Sequence, residues 1–129
     1  MRRIVLDASA LLTWFATDNS GKELRAEYEE GLLGVVAPHA LIAHVLAELA
    51  TTRSWPADRL VRVGAELDRL GFEFREPPLD ELAAWLARGI DPKHASYAAL
   101  ASTLDLPLMT ADPELLLRAT SVARSITDG

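Results

Sequence analysis

Short apolar runs alternate with helix-patterned segments along the whole chain, and this alternation most restricts the fold. Strand-like runs are predicted at 2–6, 34–38, 72–76, 107–112 and 121–126. Helical patterns are predicted at 8–15, 22–31, 39–53, 57–71, 79–89, 93–105 and 113–119. Strands alternating with helices favour a parallel sheet with helices on both faces. We therefore expect one α/β domain over residues 1–129, a three-layer sandwich with a short central parallel sheet.

Local signals mark several boundaries of these elements. Asp91, followed by Pro92, is a helix N-cap and first-turn pair ahead of the 93–105 helix. Residues 18–21, Asp-Asn-Ser-Gly, predict a turn. Pro38 suits the first turn of the 39–53 helix. Because that helix is apolar almost all round, we expect it to be central and covered on most sides.

Composition excludes several classes of protein. The chain has no cysteine, which excludes disulfides, thiolate metal sites and a cysteine nucleophile and is typical of a reducing cytoplasm. The apolar run before Asp7 is too short for a signal peptide, and no later run could span a membrane, so we expect a cytoplasmic protein. The formal net charge of −6 argues against a broad electrostatic surface for RNA or DNA. It permits a small acidic pocket that meets a phosphate through bound cations.

Two aspartates, Asp7 and Asp112, each follow a short apolar run. Ligands and catalytic groups collect outside the carboxyl ends of parallel strands, so these carboxylates are candidates for one shared site. Two neighbouring carboxylates favour a bound cation, a proton or a basic neighbour. Each aspartate can instead be a helix N-cap, although Ser9 could cap the first helix and leave Asp7 free.

Two histidines and a glutamate on predicted helices are further candidates. His44 and Glu48 are four residues apart in an apolar helix and therefore lie on one face. A carboxylate there is unfavourable unless it is paired, so the two side chains could simply bind each other, or Glu48 could emerge at the edge. His94 lies in the first turn of the 93–105 helix, where it could be a ligand or a packed or exposed structural residue.

Four segments together resemble the PIN-domain nucleases, in particular the VapC-type toxins. They are "LDASALL" at 6–12, "VVAP" at 35–38 with the helix that follows, "YAALA" at 97–101 and "LMTAD" at 108–112. The resemblance covers essentially the whole chain. It implies a fold in which four acidic residues converge to hold Mg²⁺ or Mn²⁺ and a metal-activated water cleaves RNA. It also implies a homodimer and a cognate antitoxin protein as partner.

The resemblance places the first acid at Asp7 and the last at Asp112, with Thr110 as the threonine of the final motif. The second and third acids of the family fall on His44 and His94, and Glu48 lies one helical turn beyond His44. Two Asp and two neutral His form a softer donor set than four carboxylates. Imidazole ligands favour Mn²⁺, Co²⁺, Ni²⁺ or Zn²⁺ over Mg²⁺.

Four functions are compatible with these residues. The first is a metal-dependent endoribonuclease with an altered site, in which Asp7 and Asp112 hold the ion with help from His44, His94 or Glu48. The second is a degenerate PIN domain whose histidines neutralise the aspartates and which binds RNA or protein without cutting. The third is a metal-free ribonuclease with the two histidines as general acid and base, and the fourth is an unrelated interaction module. The candidate RNA contacts, each alternatively a plain surface charge, are Arg53, Arg118 and Arg124.

Overall fold

The computed structural model describes residues 1–15 and 21–126, which form an α/β fold around a five-stranded sheet. The strands are β1 (Arg2–Leu6), β2 (Leu33–Ala37), β3 (Glu73–Phe74), β4 (Leu108–Thr110) and β5 (Ala123–Ser125). All neighbouring strands are parallel, and their order is β3-β2-β1-β4-β5. The predicted fold class is confirmed, with strands at the predicted places but shorter than predicted at 72–76, 107–112 and 121–126.

Seven α-helices connect these strands within the described residues. They are α1 (Ala8–Leu12), α2 (Lys22–Glu29), α3 (Leu41–Thr51), α4 (Ala57–Arg69), α5 (Leu79–Ala87), α6 (Pro92–Leu104) and α7 (Pro113–Arg118). A 3₁₀ turn, Thr13–Phe15, continues α1. The turn predicted at 18–21 lies outside the described residues except for Gly21.

Both faces of the sheet are covered. Ile4, Val5 and Leu6 of β1 are all fully buried, although successive side chains of a strand point to opposite faces. Helix α6 contacts β1, and α2 contacts β2. A strand buried on both sides reads as a continuous apolar run, which is the pattern that predicted β1.

The enclosed helix is α6, and the expectation that the 39–53 helix would be central is wrong. In α3 the buried side chains are Leu41, Val45 and Leu49, whereas Ala43, Ala47 and Ala50 are exposed. Alanine contributes to an apolar pattern but is small enough to lie at the surface at little energetic cost. In α6 the buried residues are Ala95, Tyr97, Ala98, Ala99, Leu100 and Ala101.

Pro38 does not begin α3, which corrects its predicted place in the first helical turn. The helix begins at Leu41, and Ala40 is its N-cap. Pro38 precedes a turn in which its carbonyl accepts a hydrogen bond from the amide of Leu41. The end of β2 is therefore followed by three non-helical residues, 38–40, before the helix that carries His44.

The order of the strands creates a crevice beside β1. The chain moves outward from β1 through β2 to β3 and then returns to place β4 on the other side of β1. Such a reversal opens a ligand-binding crevice at the carboxyl ends of the two strands on either side of it. Leu6 pairs with Met109 in the β1–β4 register, so Asp7 and Thr110 are the next residues at that edge.

Among the described helices, none has the length and apolarity needed to cross a membrane.

Candidate active site

A cavity of about 180 Å³ opens at the carboxyl ends of β1 and β4. Its lining residues are Asp7, Ala8, Ser9, Leu12, His44, Glu48, Lys93, His94, Tyr97 and Asp112. The two predicted aspartates, both predicted histidines, Glu48 and Ser9 therefore meet at one place. Thr110 is fully buried, and its hydroxyl donates a hydrogen bond to the Asp7 carboxylate.

Asp7 is both the N-cap of α1 and a wall of the cavity. Its Oδ1 accepts a hydrogen bond from the amide of Ala10 at 2.9 Å, which satisfies an otherwise free donor of the first helical turn. The side chain is only 2% exposed. The alternative in which Ser9 caps the helix and leaves Asp7 free does not occur, because Asp7 serves both roles.

Two hydroxyl groups hold the Asp7 carboxylate. Ser9 Oγ donates to Oδ1 at 2.8 Å, and Thr110 Oγ1 donates to Oδ2 at 2.6 Å. Each hydroxyl also accepts a backbone amide, from Ala111 to Ser9 and from Asp112 to Thr110, both at 3.0 Å. This hydroxyl network links the ends of β1 and β4 and orients Asp7.

Burial dominates the electrostatics of Asp7. Desolvation raises the pKa of Asp7 above its ordinary value. The hydrogen bonds from Thr110, Ala10 and Ser9 and the nearby His94 all lower it, but by less than burial raises it. Burial therefore disfavours the ionised Asp7 carboxylate, and a cation bound near it would favour the ionised form.

Asp112 is the N-cap of α7 and faces His94. Its Oδ1 accepts hydrogen bonds from the amides of Glu114 and Leu115. Its Oδ2 lies 3.3 Å from His94 Nε2, with the two side chains 23% and 16% exposed. Of the histidine–aspartate pairs that the sequence predicted, the structure therefore contains the pair of His94 and Asp112.

His44 is paired with a tyrosine. Its Nδ1 lies 3.0 Å from the hydroxyl of Tyr97, which is 1% exposed. The predicted alternative of a mutual His44–Glu48 pair is replaced by this contact, and Glu48 lines the cavity separately. Burial, followed by the positive charge of Lys93 and by His94, lowers the pKa of His44.

Lys93 and Tyr97 were not predicted as site residues. Both belong to α6, and Tyr97 stands one helical turn beyond His94 on the same side of the helix. That spacing could have found Tyr97 from the sequence. Lys93 immediately precedes His94 in the first turn of α6, and no pattern in the sequence marks it as a site residue.

Asp91 and the three predicted arginines lie outside the cavity lining. Asp91 caps α6 by accepting the amide of Lys93 at 2.8 Å, as its structural interpretation predicted. The arginines, all exposed, are Arg53, Arg118 and Arg124. The guanidinium of Arg124 donates to the carbonyls of Thr120 and Ala123.

Comparisons with known proteins support the family resemblance and the fold. The family model described as "PIN domain" matches residues 4–120. The chain belongs to the PIN domain family. The solved structure titled "Crystal Structure of PAE2754 from Pyrobaculum aerophilum" is similar at a TM-score of 0.72 and 25% identity, covering 98% of this chain and 91% of that chain. No curated protein sequence matches significantly.

PIN domains in general are metal-dependent nucleases, so the donor set of this PIN domain bears on what ion it could hold. Within residues 1–15 and 21–126, no three His, Asp or Glu side chains form a group that could hold one ion. His94 and Asp112 do form a pair, and their 3.3 Å separation is close to the spacing of about 3 Å between adjacent ligands whose bonds to one ion are about 2.1 Å. The residues fit a hydrated ion with two protein ligands and do not form a closed cage.

Proposed function

We propose that this PIN domain is a VapC-type, metal-dependent endoribonuclease with an altered Asp/His site. The observation that carries the proposal is the meeting of Asp7, Asp112, His44, His94 and Glu48 in one cavity at the switch point of the sheet. Residues from four distant parts of the chain contribute to it. Perturbed carboxyl and imidazole groups in a cleft are the usual sign of a catalytic site.

Asp112 and His94 are the residues that would hold a divalent ion. Such an ion would supply a Lewis acid for the phosphodiester and a water nucleophile of lowered pKa. Because one donor is an imidazole, Mn²⁺ or a later transition metal is favoured over Mg²⁺. Ions of this kind commonly rely on one or two carboxylates, with water and substrate phosphate completing the coordination.

The remaining acids have separate parts in the proposal. Asp7 supports the cation electrostatically from the cavity wall, with Ser9 and Thr110 fixing its carboxylate. Glu48 lines the cavity without a capping role, so its carboxylate is the candidate general base for the attacking water.

The test is cleavage of single-stranded RNA oligomers in a series of Mg²⁺, Mn²⁺, Co²⁺, Ni²⁺ and Zn²⁺. We expect cleavage with Mn²⁺ or a later metal and its loss in Asp112→Asn. The double variant with His44→Glu and His94→Asp restores four carboxylates and should shift the preference to Mg²⁺. Asp91→Asn, a conservative change at the cap of α6, is the matched control and should cleave normally. Folded protein that is inert with every ion would contradict the proposal.

A second candidate, a degenerate PIN domain, is favoured by a different observation. Three donors already satisfy Asp7, and the described part of the chain holds no three-ligand group. Such a protein would bind RNA or protein without cutting. Titration calorimetry with Mn²⁺ separates the two, because stoichiometric binding that Asp112→Asn abolishes would count against the degenerate domain. Cleavage in EDTA with a 2′,3′-cyclic phosphate product would instead indicate the metal-free ribonuclease.

We also propose an antitoxin partner and a homodimer, as the resemblance to VapC-type toxins implies. Large apolar side chains exposed on the isolated chain, which a partner could cover, include Val61, Leu79 and Leu117. Light scattering of the purified chain should give twice the monomer mass, and a monomer at micromolar concentration would contradict the dimer. Cell growth on expression of the chain, alone and with the coding region adjacent to its gene, tests the toxin role.

A further inference from the structure

The hydrogen bond between His44 and Tyr97 determines what His44 can offer to a ligand. A buried hydroxyl needs an acceptor for its hydrogen, since leaving that hydrogen unpaired costs free energy. Burial raises the pKa of Tyr97, so the phenol keeps its hydrogen near neutral pH. In the described part of the chain, the partner of this hydroxyl is Nδ1 of His44. Tyr97 therefore donates, and Nδ1 accepts.

An imidazole that accepts at Nδ1 carries its hydrogen on Nε2. Nε2 then has no free lone pair for a metal ion and acts as a hydrogen-bond donor. Were the ring protonated, Nε2 would still carry its hydrogen, so the conclusion does not depend on the charge of His44. The residue at the second acid position of the family thus supplies a donor where a carboxylate would supply an acceptor.

A second donor lines the same cavity. Lys93 lines the cavity with His44, and burial, followed by the positive charge of Lys93, lowers the pKa of that imidazole. Lys93 is one of only two lysines in the chain. An imidazole N–H and an ammonium group form the kind of donor set that binds phosphate oxygens.

We propose that His44 and Lys93 form an anion-binding pair of donors in the cavity that takes the non-bridging oxygens of an RNA phosphodiester. This assignment replaces the ligand role predicted for His44. The RNA part rests on the proposed function, whereas anion binding by these two donors requires no metal ion. Asp7, Glu48, His94 and Asp112 line the same cavity, so a phosphate bound by His44 and Lys93 would lie near these groups.

The tautomer of His44 is directly measurable. Long-range ¹H–¹⁵N correlation spectra of the ¹⁵N-histidine-labelled protein in EDTA should show His44 with its hydrogen on Nε2. The signals are assigned by their loss in His44→Gln. Tyr97→Phe removes the donor to Nδ1 and should raise the population of the Nδ1–H tautomer. A wild-type His44 with its hydrogen on Nδ1 would overturn the proposal.

Binding is measured in EDTA by fluorescence anisotropy with a six-nucleotide uridine RNA, with inorganic phosphate as competitor. We expect His44→Gln and Lys93→Met each to weaken RNA binding roughly tenfold, as the loss of a charge-assisted hydrogen bond predicts. Lys22→Met, at the exposed start of α2, is the matched control and should bind normally. Tyr97→Phe should weaken binding in proportion to the change in tautomer.

The outcomes separate this proposal from the proposed function. Unchanged affinity in both His44→Gln and Lys93→Met overturns it, as does a wild-type protein that binds neither RNA nor phosphate in EDTA. Binding of phosphate without binding of RNA overturns the assignment to a phosphodiester. Failure of RNA cleavage with every metal ion leaves the EDTA measurements intact and contradicts only the nuclease.

Discussion

At the scale of single residues, Asp7 combines a structural and a chemical role in one carboxylate. It caps α1 through Ala10 and forms part of the cavity wall. Its burial opposes ionisation, and the hydroxyls of Ser9 and Thr110 only partly offset that effect. Sites that keep a charge in such a place reduce the stability of the fold in favour of function.

Asp7→Asn should therefore stabilise the protein near neutral pH. Asn keeps an oxygen that accepts the Ala10 amide, and its NH₂ can donate to Thr110 Oγ1. The Thr110 hydroxyl can then rotate and donate its hydrogen bond to Ser9 Oγ, 3.2 Å away. We expect the free energy of unfolding to rise by roughly 1 kcal/mol and the thermal midpoint by a few degrees. Scanning calorimetry measures both, and a fall in the midpoint at pH 7 would contradict the account.

The stability gained by Asp7→Asn should increase as the pH rises. The folded-state pKa of Asp7 lies above 3.8, so the stability that its protonated form contributes is lost as the pH rises from 3.8 through that folded-state value. The advantage of Asn then grows over this interval and is constant above it. Scanning calorimetry across this pH range measures the difference, and an advantage that stays constant or shrinks would contradict the prediction.

The sequence predicted the aspartates of the site better than their surroundings. Asp7 and Asp112 follow apolar strand runs, and the rule for strand ends placed them at one edge. Their alternative interpretation as helix caps proved compatible with the site, since both aspartates cap helices. The Tyr97 contact of His44 could not be predicted, because it joins residues 53 positions apart on two helices whose relative placement is decided by tertiary packing.

At the scale of elements, the two alanine-rich helices differ in burial despite similar composition. Helix α6 is enclosed, with Ala98 fully buried, whereas Ala47 of α3 is exposed. The sequence predicted the existence of both helices. It could not predict which one is enclosed, because alanine fits either environment and the answer depends on what packs against each face.

Enlarging one alanine in each helix tests this assignment. Ala98→Leu forces extra methyl and methylene groups into a packed interior and should lower the free energy of unfolding by about 1–3 kcal/mol. Ala47→Leu, its surface counterpart, should change it by less than about 0.5 kcal/mol. Urea unfolding monitored by circular dichroism gives both values. Equal effects would show that α6 is not the enclosed helix.

At the scale of the whole molecule, the chain is acidic, and so is the RNA that we propose it binds. The net charge is −6, and among the described residues Lys93 is the one lysine or arginine that lines the cavity. The attraction of RNA is therefore confined to a small part of the surface. A broad basic groove would instead release many counterions on binding.

The salt dependence of RNA binding should accordingly be shallow. In EDTA, neutralising one or two phosphates of a single strand predicts a loss of roughly three- to sevenfold in affinity between 50 and 200 mM salt. Fluorescence anisotropy gives the slope, and Lys93→Met should reduce it by roughly 0.7. A loss of a hundredfold or more would reveal a larger basic contact surface.

The order of strands is the whole-molecule property that residue patterns alone do not specify. Alternating strands and helices predicted a parallel sheet with helices on both faces, but not the order of its strands. The return of β4 to the side of β1, across more than 90 residues, is decided by long-range packing. That return is what brings Thr110 and Asp112 to Asp7.

The pairing of β1 with β4 has a consequence for protein synthesis. A ribosome synthesises Asp7 more than 100 residues before Thr110 and Asp112. A nascent or prematurely terminated chain that ends before β4 lacks the second strand of the crevice, the hydroxyl that holds Asp7 and the carboxylate beside His94. The cavity cannot exist on such a fragment, so the ribosome is not exposed to the completed site until β4 and the residues after it have been synthesised.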